Sequence, residues 1–586
     1  MMVSILLVGE GNFSFSSSLC DSREDADHIT ATCYEAEDTV RGQHLAWRNV
    51  QHLRSKGAEV HFAVDATKLD EYGFITNRLY DRIIFNFPHC GRKAGVKKNR
   101  DLLSNFFQGC TGVLAAKGEI HVALCQGQGG TPSDESKREW HNSWQVVAMA
   151  ATAGLLLTSV VPFESDKHYG YQSTGYRSQE KSFRVIGALN HVFTRSLPLE
   201  NLSALQIIEK FTSVQDPQCI DGGFLGKISR HLIGVIYKEL VKCFRQKLQV
   251  NVLEDTFPLI CRDDSCSPHS PHSAAHSKLY FVTCGKEKEG SESSGDFHRT
   301  RLCSVEPAFR QGTHQDNNRT SGRHHLRPSL TCFIDDIAHK SNVRADPLTV
   351  VSGLVFRKRL ISPQSMPVYH EMLMLLDCRE QLQLVMDTMN TAVASIISTE
   401  TVNSEKVRLG LTFHQEKGDY IIWMSPADPD RIIGTIKQVP TGDRHNILIV
   451  SLNLDLLAMC LLGIEDWRLL WTEDDRFEAQ FHHGDLKPYR TFSLYPPCYI
   501  HDVSFWVEDA GFDEVEFHTI ALQVSKGNIV DIQLLDQYKN AETGRTGLCY
   551  RLKYQSCDRA LSYRSALAMQ LQLRDELRRR LHLVLR

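Results

Sequence analysis

Among its 17 cysteines the sequence has no CxxC pair, its charges show no surplus of either sign, and no apolar run is long enough for a membrane-crossing helix. Each absence excludes something. Scattered cysteines without paired spacing argue against a disulfide framework and against a structural zinc module, so they read as reduced thiols in an intracellular compartment. Lys plus Arg number 66 against 70 Asp plus Glu, a formal charge of −4, so no global field draws the chain to nucleic acid or membrane. A polyanion site must then be a local patch. The opening MMVSILLVG has neither the apolar length of a secretory signal nor the Arg-rich pattern of a mitochondrial presequence, and reads as a first strand. The cytoplasm is the expected compartment, with the nucleolus as the alternative.

What is present is enough for several cores: 586 residues, 42% hydrophobic, predict three folded units and linker. Residues 1–190 alternate apolar runs with helix-length segments. Runs at 3–9, 28–34, 58–64, 82–87 and 118–124 predict parallel strands, with 155–161 and 183–189 as a sixth and seventh. This is an α/β Rossmann-like, doubly wound pattern, in which a ligand lies beyond the carboxyl ends of the strands.

The residues at those ends carry the chemistry. The first run ends in Gly9-Glu10-Gly11-Asn12-Phe13-Ser14, two glycines that allow a tight turn before a helix N-terminus. It is not GxGxxG, and alone such a turn is more often plain than nucleotide-binding, roughly two to one. Glu35, twenty-four residues beyond Gly11, is spaced to accept from both ribose hydroxyls, and Asp65 from an adenine amino group. Each alone reads as a helix cap, but together they favour an adenosine-containing cofactor. Asn86-Phe87-Pro88-His89 ends the fourth run with an amide, a ring for stacking, a stiff proline and an imidazole able to take a proton. The bland reading is a proline-ended strand with a capping histidine. Arg92, Lys93, Lys97, Lys98 and Arg100 follow, either guiding phosphates or forming a solvated basic loop.

The run LLVGEGNFSFS, with VDAT at 64–67, IIFNFPH at 83–89, GEIHVAL at 118–124 and GYQSTGYRSQEKSF at 170–183, closely resembles the family of ribosomal-RNA uridine-N3 methyltransferases. The resemblance implies a class I S-adenosyl-L-methionine fold, with Gly9, Glu10, Gly11 and Asn12 at the methionine end of the cofactor. It further implies Glu35 on the ribose, Asp65 near the adenine, and Asn86 to His89 at the methyl acceptor, in rRNA. Uracil N3 is a poor nucleophile until its proton leaves, and His89 is the expected acceptor of that proton. N3 lies on the pairing edge, so the target base must be unpaired or flipped out. Where the family carries a lysine and a short Gly-Pro-Tyr-type turn, this chain has Cys125-Gln126-Gly127-Gln128-Gly129-Gly130 and a longer loop to Trp140.

Residues 191–261 predict a helical connector, with amphipathic helices over 201–211 and 226–248, and residues 262–345 a polar, disordered linker. Cys261, Cys266, His269, His272 and His276 lie there without a frame to fix a tetrahedron, so no metal is expected. Residues 491–586 predict a βαββαβ, ferredoxin-like domain whose last helix ends in Arg578, Arg579 and Arg580, either meeting phosphates or facing solvent. HDVSFWV, LLDQYKN and YRLKYQSCDRALSY resemble the ferredoxin-fold anticodon-binding domain of phenylalanyl-tRNA synthetases. VFRKRLISPQSMPVYHEM (355–372) and LLGIEDWRLLWTEDDRFEAQF (461–481) resemble the core of those enzymes, giving a degenerate synthetase-like core over 346–490. Arg357 matches the ATP-binding arginine of motif two, but Leu373 stands where an acid holds the amino group of phenylalanine and Leu456 where an arginine meets ATP phosphates.

The sequence therefore predicts an S-adenosyl-L-methionine-dependent RNA base methyltransferase with an RNA-binding tail, its partner rRNA or tRNA and not a membrane. The alternative is a non-catalytic RNA- or tRNA-binding protein with decayed enzyme domains. A working phenylalanine–tRNA ligase is the weakest reading.

Overall fold

SILLV is apolar at every position, so a strand made of it needs cover on both faces. In the computed structural model it forms β1 (Ser4–Val8), joined by β2 (His28–Thr32), β3 (Glu59–His61), β4 (Tyr80–Asn86), β5 (Leu114–Leu124), β6 (Leu155–Pro162) and β7 (Leu189–Arg195) in one sheet. The spatial order is β3-β2-β1-β4-β5-β7-β6. Pairings among β1 to β5 are parallel, whereas β7 runs antiparallel to β5 and β6. Alternate β1 residues go to opposite cores: Leu6 and Val8 join Phe85, Leu103, Phe106 and Phe107, while Ile5 and Leu7 join Phe15, Leu19 and Ile84. Helices α1 (Ser14–Asp21), α2 (Glu37–Arg41), α3 (His44–Ser55), α4 (Gly73–Thr76), α5 (Val96–Thr111) and α6 (Val146–Ala151) connect these strands. Chain order reverses between β1 and β4, which makes their carboxyl ends the switch point of the sheet.

The residues described are 3–22, 28–91, 94–135, 138–174, 182–199, 212–213, 216–220, 223–225, 230–262, 278–285, 301–305, 324–341, 348–376, 380–396, 408–414, 419–425, 432–440, 446–481, 486–507 and 512–586. They form two compact units. The first comprises Met1–Leu199, Thr491–Tyr499 and Gln555–Ala568; the second comprises Glu200–Arg490, Ile500–Tyr554 and Met569–Arg586. Within the first unit, Leu494 N donates to Leu157 O at 2.7 Å and Ala560 N to Ser196 Oγ at 2.8 Å, so two late segments of sequence complete the early fold.

Two expectations need correction. The seventh strand starts at Leu189, not 183, because Gly187 turns the chain at φ +73° before it can pair. The linker expected over 262–345 is partly structured: Ile260–Arg262, His324–Leu326, Phe281–Gly285 and Arg301–Val305 make a four-stranded sheet in that order. Leu279, Tyr280, Phe281 and Val282 are buried, a short apolar run hidden by the polar average of its surroundings. By packing, 491–499 and 555–568 group with the first unit. The helix expected over 201–211 lies outside the described residues, as do Cys266, His269, His272 and His276; Cys261 is a buried strand residue.

The second unit holds a seven-stranded sheet in the order Val250–Leu253, Leu348–Phe356, Val368–Leu376, Asn446–Asn453, Ile432–Pro440, Asp419–Ser425 and Arg408–His414. The helix predicted over 226–248 is present as Leu232–Lys247. The βαββαβ order is present as Tyr499–Val507, Glu514–Val524, Ile529–Lys539, Thr546–Tyr554, Tyr563–Arg580 and Val584–Leu585. Among the described residues no helix is long and apolar enough to cross a membrane.

Candidate functional site at the strand ends of the first unit

The turn after β1 is built by close approach. Gly9 has φ +69°, and a Cβ on it would lie 2.5 Å from Phe85 Cε2 on β4. A Cβ on Gly11 would lie 2.5 Å from Thr174 Oγ1. Phe13 caps α1 with φ 56° and is fully buried, its ring edge-on to Phe62. The polar side chains here are spent on the turn itself. Glu10 turns back to accept from Ser16 N at 3.1 Å and Ser16 Oγ at 2.8 Å. Burial raises its carboxyl above the ordinary value, against the smaller lowering by the two Ser16 bonds. Asn12 Oδ1 accepts from Ser14 N at 3.0 Å and Asn12 Nδ2 donates to Gln172 O at 3.2 Å. Ser14 Oγ also accepts from Gln172 N at 3.0 Å, so residues near 172 are tied over the glycine turn. What Gly9, Glu10, Gly11 and Asn12 offer a ligand is backbone rather than side chain.

The two strand-end acids differ. Asp65 Oδ1 accepts from Thr67 N at 2.9 Å and Thr67 Oγ1 at 2.7 Å, the local capping role weighed above. Glu35 is half-buried, with Gln43 Nε2 at 3.5 Å, the far limit of a hydrogen bond, and so keeps capacity for a diol.

At the end of β4, Asn86 Nδ2 is buried with no hydrogen-bond partner. Such a donor is costly unless something meets it, and it lies at the end of β4, one of the two strands that flank the switch point. Phe87 takes φ 53° and packs edge-on against Phe163 and Phe183 at 5.0 and 4.9 Å, so its ring is held by the fold before any base arrives. Pro88 is buried and His89 exposed. Gly91 N donates to His89 Nδ1 at 2.9 Å, and burial lowers the imidazole below its ordinary value. With Nδ1 held as an acceptor, the neutral ring carries its hydrogen on Nε2, and the proton acceptance expected of His89 requires release of the Gly91 bond.

The lip is pinned by a residue the sequence reading missed. Asn99 Oδ1 accepts from Cys90 N at 3.1 Å, and Asn99 Nδ2 donates to Gly95 O at 3.3 Å. An amide in the first turn of α5, straight after the lip, was the available signal. Arg100 is engaged within the fold: it donates to Ser143 O at 2.7 Å and His141 O at 2.8 Å, fixing the approach to Trp144, whose ring lies 6.1 Å from that of His89. Lys97 and Lys98 are exposed, and Arg92 and Lys93 lie outside the described residues. The divergent loop after β5 is knotted by Asp134, also missed, which accepts from Gly127 N at 2.9 Å, Gly130 N at 3.1 Å and Thr131 N at 3.2 Å. An acid a few residues after clustered glycines is the pattern that marks it.

In the second unit several synthetase-like positions bond within the fold, though His370 Nε2 and Asp455 Oδ1 are buried without partners. Glu371 accepts from Ser329 Oγ, Leu330 N and Ser451 Oγ, and Arg327 pairs with Asp255 while fully buried. Leu373 is fully buried on its strand, and Leu456 sits in the first turn of Leu454–Leu462. Arg357 Nε donates to Pro328 O at 2.7 Å. Of the terminal arginines, Arg578 and Arg579 are exposed and pair with Asp575 and Glu576 one turn back. Arg580 is withdrawn from any phosphate, donating to Gln523 Oε1 at 2.8 Å and lying 3.4 Å from Glu516.

Residues 6–175 match the family described as rRNA (uridine-N3-)-methyltransferase BTM5-like, and residues 493–586 match the ferredoxin-fold anticodon binding domain. The human Ferredoxin-fold anticodon-binding domain-containing protein 1 is 40% identical over 99% of this chain and 99% of its own. Its Mus musculus homolog is 39% identical over the same shares. The chloroplastic/mitochondrial phenylalanine–tRNA ligase of Arabidopsis thaliana is 36% identical over 23% of this chain and 32% of its own.

Proposed function

Because this chain belongs to the family of ferredoxin-fold anticodon-binding domain-containing proteins, we propose that its first unit methylates uridine N3 in RNA, of the ribosomal class, while its C-terminal half holds structured RNA. The observation that carries this reading is Asn86 Nδ2, a buried donor without a partner at the switch point of the sheet. S-adenosyl-L-methionine, when bound, supplies an electrophilic methyl on a sulfonium that leaves as a neutral thioether. Glu35 is the residue to hold its ribose, and the backbone from Gly9 to Asn12 its amino-acid end. Phe87 and Pro88 fix the lip on which the acceptor base is oriented, and the segment bonded to Asn12 and Ser14 through Gln172 limits water at the turn.

Calorimetric titration of the full chain with S-adenosyl-L-methionine, followed by quantification of N3-methyluridine in rRNA and tRNA fractions from cells with and without the protein, tests this. Binding heat with loss of the modified base from one fraction is expected; no heat refutes it. The second reading, a non-catalytic RNA-binding protein, draws on Glu10, Asn12 and Asp134, whose side chains are spent internally. It predicts RNA binding without cofactor heat.

A further inference from the structure

Beside the acceptor lip stands a side chain that the proposed reaction does not use. Trp140 opens the one-turn helix Trp140–Asn142, none of whose residues is buried, and is itself 46% exposed. Its backbone is nevertheless tightly held. Trp140 O accepts from Ser143 Oγ at 2.9 Å, Gln145 Nε2 at 3.1 Å, Ser143 N at 3.2 Å and Arg100 Nη2 at 3.4 Å. Gln145, which supplies one of these donors, has φ 52°, uncommon for a residue other than glycine. The other end of the loop is fixed as well, Asp134 accepting from three backbone N–H groups and Ser133 Oγ lying 2.8 Å from Tyr495 Oη. The exposed indole is therefore carried on a backbone already ordered before any ligand arrives.

This turn is continuous with the lip. Cys90 Sγ donates to Lys98 O at 3.1 Å and Cys90 N to Asn99 Oδ1 at 3.1 Å; the next residue, Arg100, donates to the carbonyls of 140, 141 and 143. Lys97 precedes Arg100 by three residues and so shares the helix face to which the turn is bonded. In these segments the exposed Lys97, Lys98 and Arg138 are matched by the exposed Asp101, Glu135 and Glu139. Phosphate attraction is thus a minor part of what the surface offers. Its main part is a fixed π-face, and every nucleobase has a face to match.

We infer that the loop after β5 is a stacking platform for single-stranded RNA, with Trp140 taking the face of an unpaired nucleobase that neighbours the target along the strand. This rests on the RNA reading above and names the form of RNA the site takes. A duplex does not suit it, because paired bases hide their faces in the stack. Arg100 and Gln145, which hold the Trp140 carbonyl, are positioning residues for the platform.

Two readouts test it on the full chain. In photocrosslinking with a short single-stranded RNA carrying 5-iodouridine, crosslinks are expected in the peptide around Trp140, with about tenfold fewer from the paired stem of a hairpin of the same composition. Crosslinks confined to other peptides, or equal yields from strand and stem, overturn the inference. In fluorescence anisotropy, with unlabelled hairpin in excess to occupy surfaces that take structured RNA, Trp140→Ala should weaken single-strand binding about tenfold and leave its salt slope unchanged. Trp140→Phe should stay within about threefold of wild type. Unchanged affinity in Trp140→Ala, or equal losses in the two variants, overturns it; melting curves matching wild type show that neither variant has lost its fold. Absence of cofactor heat from wild-type protein refutes methyl transfer and leaves the crosslinks to decide the platform, whereas cofactor heat without a crosslink at Trp140 refutes the platform alone.

Discussion

The strand ends of the first unit and the sheet of the second place different residue types at the positions where a ligand is expected. At β4 of the first unit, Asn86 Nδ2 has no partner and Glu35 has one contact at the limit of bonding. In the second unit, Glu371 gathers two hydroxyls and a backbone N–H and Arg327 is closed onto Asp255, while His370 Nε2 and Asp455 Oδ1 are buried without partners; the positions expected to bind substrate are Leu373 and Leu456. Glu35 and Asn86 keep polar groups at the first site, whereas leucines at the second remove the charge that substrate binding would need. That difference separates two enzyme-like domains that composition treats alike.

The comparison breaks most readily at Arg327. Arg327→Leu leaves the half-buried Asp255 without its partner and should cost about 3 kcal/mol in the urea unfolding of the second unit. Cofactor affinity of the same variant should be unchanged, and a parallel loss there would mean the two units are not independent. At the other pole, Gly11→Arg puts a side chain where a Cβ already meets Thr174 Oγ1 at 2.5 Å. It should lower S-adenosyl-L-methionine affinity by about 100-fold in calorimetry, about 2.8 kcal/mol, while the urea midpoint of the second unit holds.

Titration sharpens the contrast further, since the units should lose stability in opposite directions. Burial raises Glu10 above its ordinary 4.5, so the folded first unit binds a proton the unfolded chain releases, and its stability falls as pH rises through the raised value. Burial lowers His518 to about 4 from an ordinary 6.5, with its Nδ1 accepting from Ile361 N at 2.8 Å. There the unfolded chain binds the proton the native state refuses, so stability is lost as pH falls from 6.5 toward about 4. Melting curves across pH 4 to 8 check both, with E10Q flattening the first slope and H518Q the second. The smallest expected effect is none: Leu456→Arg should leave ATP–pyrophosphate exchange with phenylalanine at background, because Leu373 and the closed Glu371 network remain.

The apolar runs that must be covered on both faces made the first sheet legible, and a polar residue straight after such a run marked each strand end. The seventh strand was misplaced because one glycine, Gly187, turns inside an otherwise strand-like run. Nothing in the local sequence reveals which of the marked side chains are already used. Arg100 is consumed by the carbonyl of Ser143 and Arg580 by Glu516, 43 and 64 residues away, and only the folded chain brings them together. His89 differs: its Nδ1 partner is two residues on, and the tight lip that joins them depends on Asn99 holding Cys90.

The first unit takes in Thr491–Tyr499 and Gln555–Ala568 as well as the opening 199 residues. Domains ordinarily fold in turn as they leave the ribosome, the earliest first. Here two segments that pack with the opening 199 residues are made long after them, the later one ending at residue 568. Shortening the protein from its carboxyl end, a natural way to isolate the catalytic-looking half, would remove pieces of that half.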